Sequence, residues 1–299
     1  MVKITFLGTS YTLPTSKRNH TSILLTYKGE NILVDCGEGT QRQLRKAKIN
    51  PCKLTKILIT HLHGDHVLGI PGLLQTLSLS EYKKNLFIYG PRGTKRFMKE
   101  IGKIFLKRLN YKIKVEEIEK EGKFFDAEDF FLESKKMNHG VPCNAYSFNE
   151  KGRIKIDREK LKKSKLPSSK ILKRLKEGKN ISYKGKKYLA KNLTFNEKGK
   201  KVSFVLDTLY EKKIQRFVKE SDLLICESTF HSEIESNARE KKHLTSKQAG
   251  LIAKESKSKK LILTHISQRY EKNLKKILGD AKKKFKNSHL VKDLDVVDV

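Results

Sequence analysis

The 299-residue chain carries 66 Lys and Arg against 33 Asp and Glu, a net charge of +33. A surplus of that size favours polyanionic partners. No run of eighteen apolar residues occurs, so no membrane-spanning helix is expected, and no two of the four cysteines form a C-x-x-C pair, which argues against a zinc ribbon.

The length suits one large α/β domain or two small ones, and the alternation of strand and helix runs favours one. Met1–Gly8, Ser22–Tyr27 and Glu30–Asp35 read as strands, with a turn at Lys28-Gly29. The start is short and strand-like, unlike a signal peptide, and reduced thiols fit a cytoplasmic protein. Gly39–Lys48 reads as a short helix whose amino end is either a phosphate seat or an ordinary cap. Lys56–Thr60 is a buried strand. It runs into His61-Leu62-His63-Gly64-Asp65-His66, which places four potential metal ligands within six residues. Neutral imidazoles suit zinc, and a carboxylate can join or bridge a second ion.

Ile70–Ser80 has helical spacing, with Leu73, Leu74 and Leu77 on one face, and Gly93–Arg108 has Phe97, Ile101 and Ile104 in register. Strands follow at Leu86–Tyr89, Val115–Ile118, Phe130–Lys135 and Ala145–Phe148, and His139 lies between the last two. From about Glu150 to Leu193 the chain turns strongly basic. Lys151 to Lys191 holds 17 Lys or Arg and 3 Asp or Glu. Two helical runs, Arg158–Ser164 and Ser169–Glu177, flank Leu166-Pro167-Ser168, and the low apolar content predicts a projecting segment without a core. Further on, Val202–Leu206 ends in Asp207, Leu223–Cys226 in Glu227 and Leu261–Thr264 in His265, just as Asn31–Val34 ends in Asp35. Leu209–Val218, Thr245–Glu255 and the basic tail Lys272–Lys286 read as helices, and Thr245 with Gln248 fits a capping box just after His243. Several strands ending in Asp, Glu or His bring those groups to one sheet edge, where open sheets place their sites.

These residues resemble the metallo-β-lactamase superfamily and, within it, the ribonuclease Z family of tRNA 3′-processing endonucleases. The resemblance runs the length of the chain. It rests on Leu7-Gly8-Thr9-Ser10, Pro14–Asn19, Asp35-Cys36-Gly37-Glu38-Gly39-Thr40-Gln41, the His61–His66 motif, His139 with Val141-Pro142, Asp207-Thr208, Glu227-Ser228-Thr229-Phe230, His243 and Thr264-His265. It implies an α/β fold, a four-layer αββα sandwich over residues 1–299, with residues 150–193 inserted as a flexible, protruding basic arm. It implies two zinc ions: one on His61, His63, His139 and Asp207, the other on Asp65, His66, His265 and the shared Asp207. Asp65 is the implied proton acceptor, His243 the donor to the departing 3′ oxygen, and Glu227 the partner that orients His243.

The implied reaction removes the 3′ trailer of precursor tRNA by in-line attack of a hydroxide between the metals. It leaves a 3′-hydroxyl on the tRNA and a 5′-phosphate on the trailer. The arm would grip the tRNA body across a homodimer, reading shape and phosphates rather than bases, and loop residues near Arg18 and Asn19 would sense the 3′ end. Three positions depart from the family pattern. Lys17 sits one place late, Leu206 replaces the Gly before the bridging Asp and threatens close backbone approach, and Ser228 replaces an Ala. The remaining readings are another hydrolase on this fold, such as a small phosphodiesterase, arylsulfatase or thioesterase, or a non-catalytic RNA-binding relative.

Overall fold

The runs that read as continuous apolar stretches do so because both of their faces are covered. In Leu223–Glu227, Leu223 and Ile225 point between two sheets, while Leu224 and Cys226 point outward against helices. Ser22–Tyr27 splits the same way. Ile23, Leu25 and Tyr27 enter the inter-sheet core, and Leu24 meets the outer layer. The computed structural model of the protein describes residues 1–106, 109–164, 166–167, 169 and 171–299.

Among these residues the two large sheets have seven strands each. The first runs in the order Val296–Asp298, Val2–Gly8, Ser22–Tyr27, Glu30–Val34, Lys56–Leu58, Leu86–Gly90, Ile113–Glu117. It is antiparallel as far as Glu30–Val34 and parallel beyond. The second runs Ser288–Leu290, Leu261–Thr264, Leu223–Glu227, Lys201–Val205, Pro142–Glu150, Phe130–Asn138, Gly122–Asp126, and changes from parallel to antiparallel after Lys201–Val205. Helices Thr40–Lys46, Ile70–Leu79 and Thr94–Phe105 cover the first sheet, and Lys212–Phe217, Ser246–Glu255 and Leu274–Lys282 cover the second. The layers are therefore αββα, as expected. No helix of the described residues is long and apolar enough to cross a membrane.

Leu73, Leu74 and Leu77 are buried as their spacing predicts. The next helix differs. It ends at Phe105, buries Met98 and Ile101, and leaves Ile104 64% exposed. Ile104 lies in the last turn, on the surface beside Gln75 and Leu79 of the neighbouring helix. The expected continuation through Lys107 and Arg108 lies outside the described residues, as do Lys165, Ser168 and Lys170 of the basic segment.

That basic segment contradicts the expectation that it has no core. Leu166, Leu172, Leu175, Ile181, Ala190 and Leu193 form a small buried cluster, with Leu175 fully covered. Around it stand the helices Arg158–Lys163, Leu172–Lys176 and Ala190–Leu193 and the pair Ile181–Tyr183 with Lys186–Tyr188. The pairing of Arg153–Ile156 with Thr194–Glu197 joins the segment to the sandwich. Few apolar residues suffice because nearly all of them converge on one point, while the lysines stay in water. The helix Thr40–Lys46 starts from Gly39 as N-cap, at positive φ (77°) and with no side-chain cap bond, and the buried Thr40 donates its hydroxyl to Gly37 O at 2.7 Å.

Candidate metal centre

Every sequence-predicted ligand comes from one edge of the sandwich. Asp35 and His265 directly follow a strand, Asp207 follows one after Leu206, and each of the three has positive φ (56°, 57° and 49°). L-residues rarely adopt that conformation, and its strain is tolerated where it aims a side chain into a site. Leu206, whose bulk threatened close approach, points into the inter-sheet core, away from the site. After Lys56–Leu58 the chain passes through Thr60 and His61 into a one-turn helix, Gly64–Val67, with His63 as its N-cap. Two backbone bonds lock this turn against the Asp35-Cys36-Gly37 stretch: Cys36 N to His66 O (2.8 Å) and Gly69 N to Cys36 O (2.9 Å). Gly69 is required there, because a Cβ on it would lie 2.0 Å from Gly37 O.

The hydrogen bonds fix which ring nitrogens face inward. His66 Nδ1 donates to Asp35 Oδ2 at 2.6 Å. Thr60 Oγ1 donates to the same carboxylate (2.7 Å) and therefore accepts from His61 Nδ1 (3.1 Å). Thr229 Oγ1 donates to Glu227 Oε2 (2.7 Å) and accepts from His265 Nδ1 (3.0 Å). His139 Nδ1 donates to Lys242 O (3.1 Å). Four imidazoles thus present Nε2 as a lone pair, and His63 turns Nδ1 toward them. His66 and His265 Nε2 are 3.2 Å apart. His63 Nδ1 lies 3.0 Å from His61 Nε2 and 3.2 Å from His139 Nε2. Lone pairs this close repel unless a cation lies between them, so the donor set fits metal ions.

Asp207 sits between the groups. Its Oδ2 is 3.6 Å from both His61 Nε2 and His66 Nε2 and 3.7 Å from His139 Nε2, and its Oδ1 is 3.2 Å from His265 Nε2. Its Oδ1 is buried without a hydrogen-bond partner. The residues sort into sets able to hold an ion: His61, His63, His139 and Asp207, then Asp65, His66 and His265, with Asp207 also beside His243 and His265. Burial and the neighbouring imidazoles push the His61 pKa well below its usual value, which keeps that ring neutral. Asp65 Oδ2 lies 3.3 Å from His66 Nε2 and 3.7 Å from His265 Nε2.

His243 stands at the border of the cluster. Its Nδ1 lies 3.0 Å from Glu227 Oε2 and 3.9 Å from Asp207 Oδ2. Burial opposes its protonation, yet Glu227, then Asp207, raise its pKa to about 9. Glu227 is fully buried and is itself held by Thr208 N at 2.6 Å. The cluster opens into a cleft of about 580 Å³ lined by Tyr11, His20, Asp65, Leu68, His139 and His243, among others.

Thr60, Thr229 and Tyr11 had no role in the sequence reading, and Asp35, expected among the strand-end candidate ligands, instead orients His66 and Thr60. The Tyr11 ring packs edge-on to His243 and His265, with centroids 5.0 and 5.3 Å apart. Arg18 corrects an expectation. It is only 5% exposed, and its Nη1 donates to Thr9 Oγ1 (2.7 Å) and Val291 O (2.8 Å), so it braces the amino-terminal loop and faces no substrate. Asn19 is half-buried, and its Nδ2 donates to Glu38 O at 2.6 Å.

Residues 2–148 match a family model described as anti-Pycsar protein Apyc1. Over 295 residues the chain is 38% identical to ribonuclease Z of Nanoarchaeum equitans (strain Kin4-M), covering 99% of this chain and 92% of that protein. The solved human tRNase Z, short form, superposes with a TM-score of 0.73 at 28% identity, over 99% of each chain. The metallo-β-lactamase fold protein YhfI of Bacillus subtilis gives a TM-score of 0.72 at 20% identity over 99% of this chain and 98% of that one, a likeness of fold. With more than a third of its residues identical over nearly its full length, the chain belongs to the ribonuclease Z family of hydrolases, built on the metallo-β-lactamase fold.

Proposed function

We propose that the protein is a zinc-dependent endoribonuclease that removes the 3′ trailer from precursor tRNA. The observation that carries this reading is the convergence of five imidazole nitrogens on the Asp207 carboxylate, whose Oδ1 is buried without a hydrogen-bond partner, with His243 and Glu227 beside them. In this reading His61, His63, His139 and Asp207 hold one zinc, and Asp65, His66, His265 and Asp207 the other. A bound pair of zinc ions would supply Lewis-acid stabilisation of the phosphate and lower the pKa of the attacking water.

The chain's own residues do the rest. Asp65, at the cleft wall, accepts the proton of the attacking water. Glu227 occupies His243 Nδ1, which leaves Nε2 to donate a proton to the departing 3′ oxygen of the tRNA. The products are a 3′-hydroxyl on the tRNA and a 5′-phosphate on the trailer. The basic segment 150–193 supplies the tRNA grip as an inserted arm, reaching the substrate bound to the other subunit of a homodimer. Its lysine surplus supports attraction to the phosphate backbone. The place of action in this reading is the cytoplasm.

The test is incubation of the purified protein with end-labelled precursor tRNA, with and without a chelator. A single metal-dependent cut just 3′ of the acceptor stem, leaving a 3′-hydroxyl, is expected. Binding without cleavage in the presence of zinc refutes the reading.

A further inference from the structure

His243 is carried on an excursion of the chain that leaves the second sheet after Glu227 and returns as the helix Ser246–Glu255. The two ends of the excursion meet. Ser246 N donates to Phe230 O at 2.8 Å, and Phe230 and Thr245 form a β-bridge. Beneath this junction lies Asp280, on the helix Leu274–Lys282, whose other buried side chains are apolar. Asp280 is 1% exposed. It accepts three bonds, from Ser232 N (3.0 Å), Ser232 Oγ (2.8 Å) and Ser246 Oγ (2.9 Å). One carboxylate therefore ties the outgoing strand of the excursion to the returning one. A buried carboxylate is costly unless it is fully bonded, and one this well bonded fixes what it touches.

The helices come close enough for this because residue 250 is glycine. A Cβ there would lie 2.5 Å from Ala281 O, the carbonyl next along from Asp280. A further anchor is Tyr270, whose hydroxyl accepts from His231 N at 3.0 Å.

The far end of the excursion touches the metal centre twice. The Lys242 carbonyl accepts from His139 Nδ1, and the His243 ring meets Glu227. We propose that Asp280 is a positioning residue for the reaction: by clamping both ends of the 231–246 excursion it sets the His243 ring where its proton can reach the leaving oxygen. This rests on the proposed role of His243 as proton donor. Asp280 touches neither His243 nor any metal-binding candidate, so its effect is transmitted through the backbone of the excursion.

The experiment compares two substrates on the zinc-saturated enzyme. Precursor tRNA releases a 3′ alkoxide that needs a proton, whereas bis(4-nitrophenyl) phosphate releases a stable phenolate that does not. D280N is expected to lower kcat on precursor tRNA about 10- to 100-fold relative to its effect on the diester, the scale of a misplaced catalytic group. KM for precursor tRNA should change little. S246A removes one of the three bonds and should shift the same ratio in the same direction by less, which keeps the test informative if D280N folds poorly. In an H243A background D280N should add less than about a twofold further change in the ratio, because both act on one step. Equal losses on both substrates, or an unchanged ratio in both D280N and S246A, overturn the clamp. An unchanged ratio in H243A alone overturns the donor role of His243 and the clamp with it.

Discussion

Replacing Asp35 with asparagine (D35N) tests how the metal site is oriented. Asp35 is fully buried and accepts three bonds of 2.6 to 2.7 Å, from His66 Nδ1, Thr60 N and Thr60 Oγ1. Through Thr60 it also sets the tautomer of His61. An asparagine keeps the shape but loses the charge and one acceptor atom. Its amide NH2 can then face His66 Nδ1, which moves the ring proton to Nε2, the nitrogen aimed at the centre. Loss of such an outer partner costs about 10- to 100-fold in metal affinity or activity. Two imidazoles from two different ion sets are affected together, which favours the upper end of that range. The mispaired buried group should also lower folding stability by about 1–3 kcal/mol. Chelator competition measures the affinity, precursor tRNA cleavage at fixed zinc measures the rate, and denaturant unfolding measures the stability. A D35N variant with wild-type zinc affinity and wild-type cleavage would refute the derivation of the tautomers.

H243A should lower kcat on precursor tRNA by about 10²- to 10⁴-fold, the range of general acid catalysis, with KM nearly unchanged in steady-state kinetics. Deleting residues 152–190 should raise KM for precursor tRNA and flatten its salt dependence, because the deleted lysines no longer displace counterions, while hydrolysis of a small diester survives. An unaltered salt slope would remove the arm from tRNA binding. R18M should destabilise the fold by about 1–3 kcal/mol by leaving Thr9 and the Val291 carbonyl without their donor, and should leave KM unchanged. A raised KM at unchanged stability would return Arg18 to the substrate.

The metal-binding candidates were legible because His and Asp are unusual residues with which to end an apolar strand, and one sheet edge gathers all such ends. His61, His63, His139 and Asp207 come together from positions up to 146 residues apart. Their orienting partners were not legible. Thr60 and Thr229 resemble any strand-end threonines, and only the fold places their hydroxyls between an imidazole and a carboxylate. Arg18 looked like a substrate contact because a loop arginine is usually exposed, and nothing nearby in sequence reveals that Thr9 and Val291 enclose it. The arm's core was missed for a related reason. Leu166, Leu175 and Ile181 are sparse in sequence and meet only when the hairpin and its helices close. Asp280 was hidden in a lysine-rich tail whose charges suggested a solvated face.

The central claim is that the clustered imidazoles and Asp207 hold two cations per chain and that cleavage needs both. Stripping the protein of metal and titrating zinc back, while following precursor tRNA cleavage and bound zinc together, tests it most directly. Activity should rise to its plateau at two equivalents per chain in the wild type. D207A, which removes the carboxylate lying between the two sets, should reach neither that stoichiometry nor that activity. Full cleavage by metal-stripped protein, or by D207A with no zinc bound, would contradict the account.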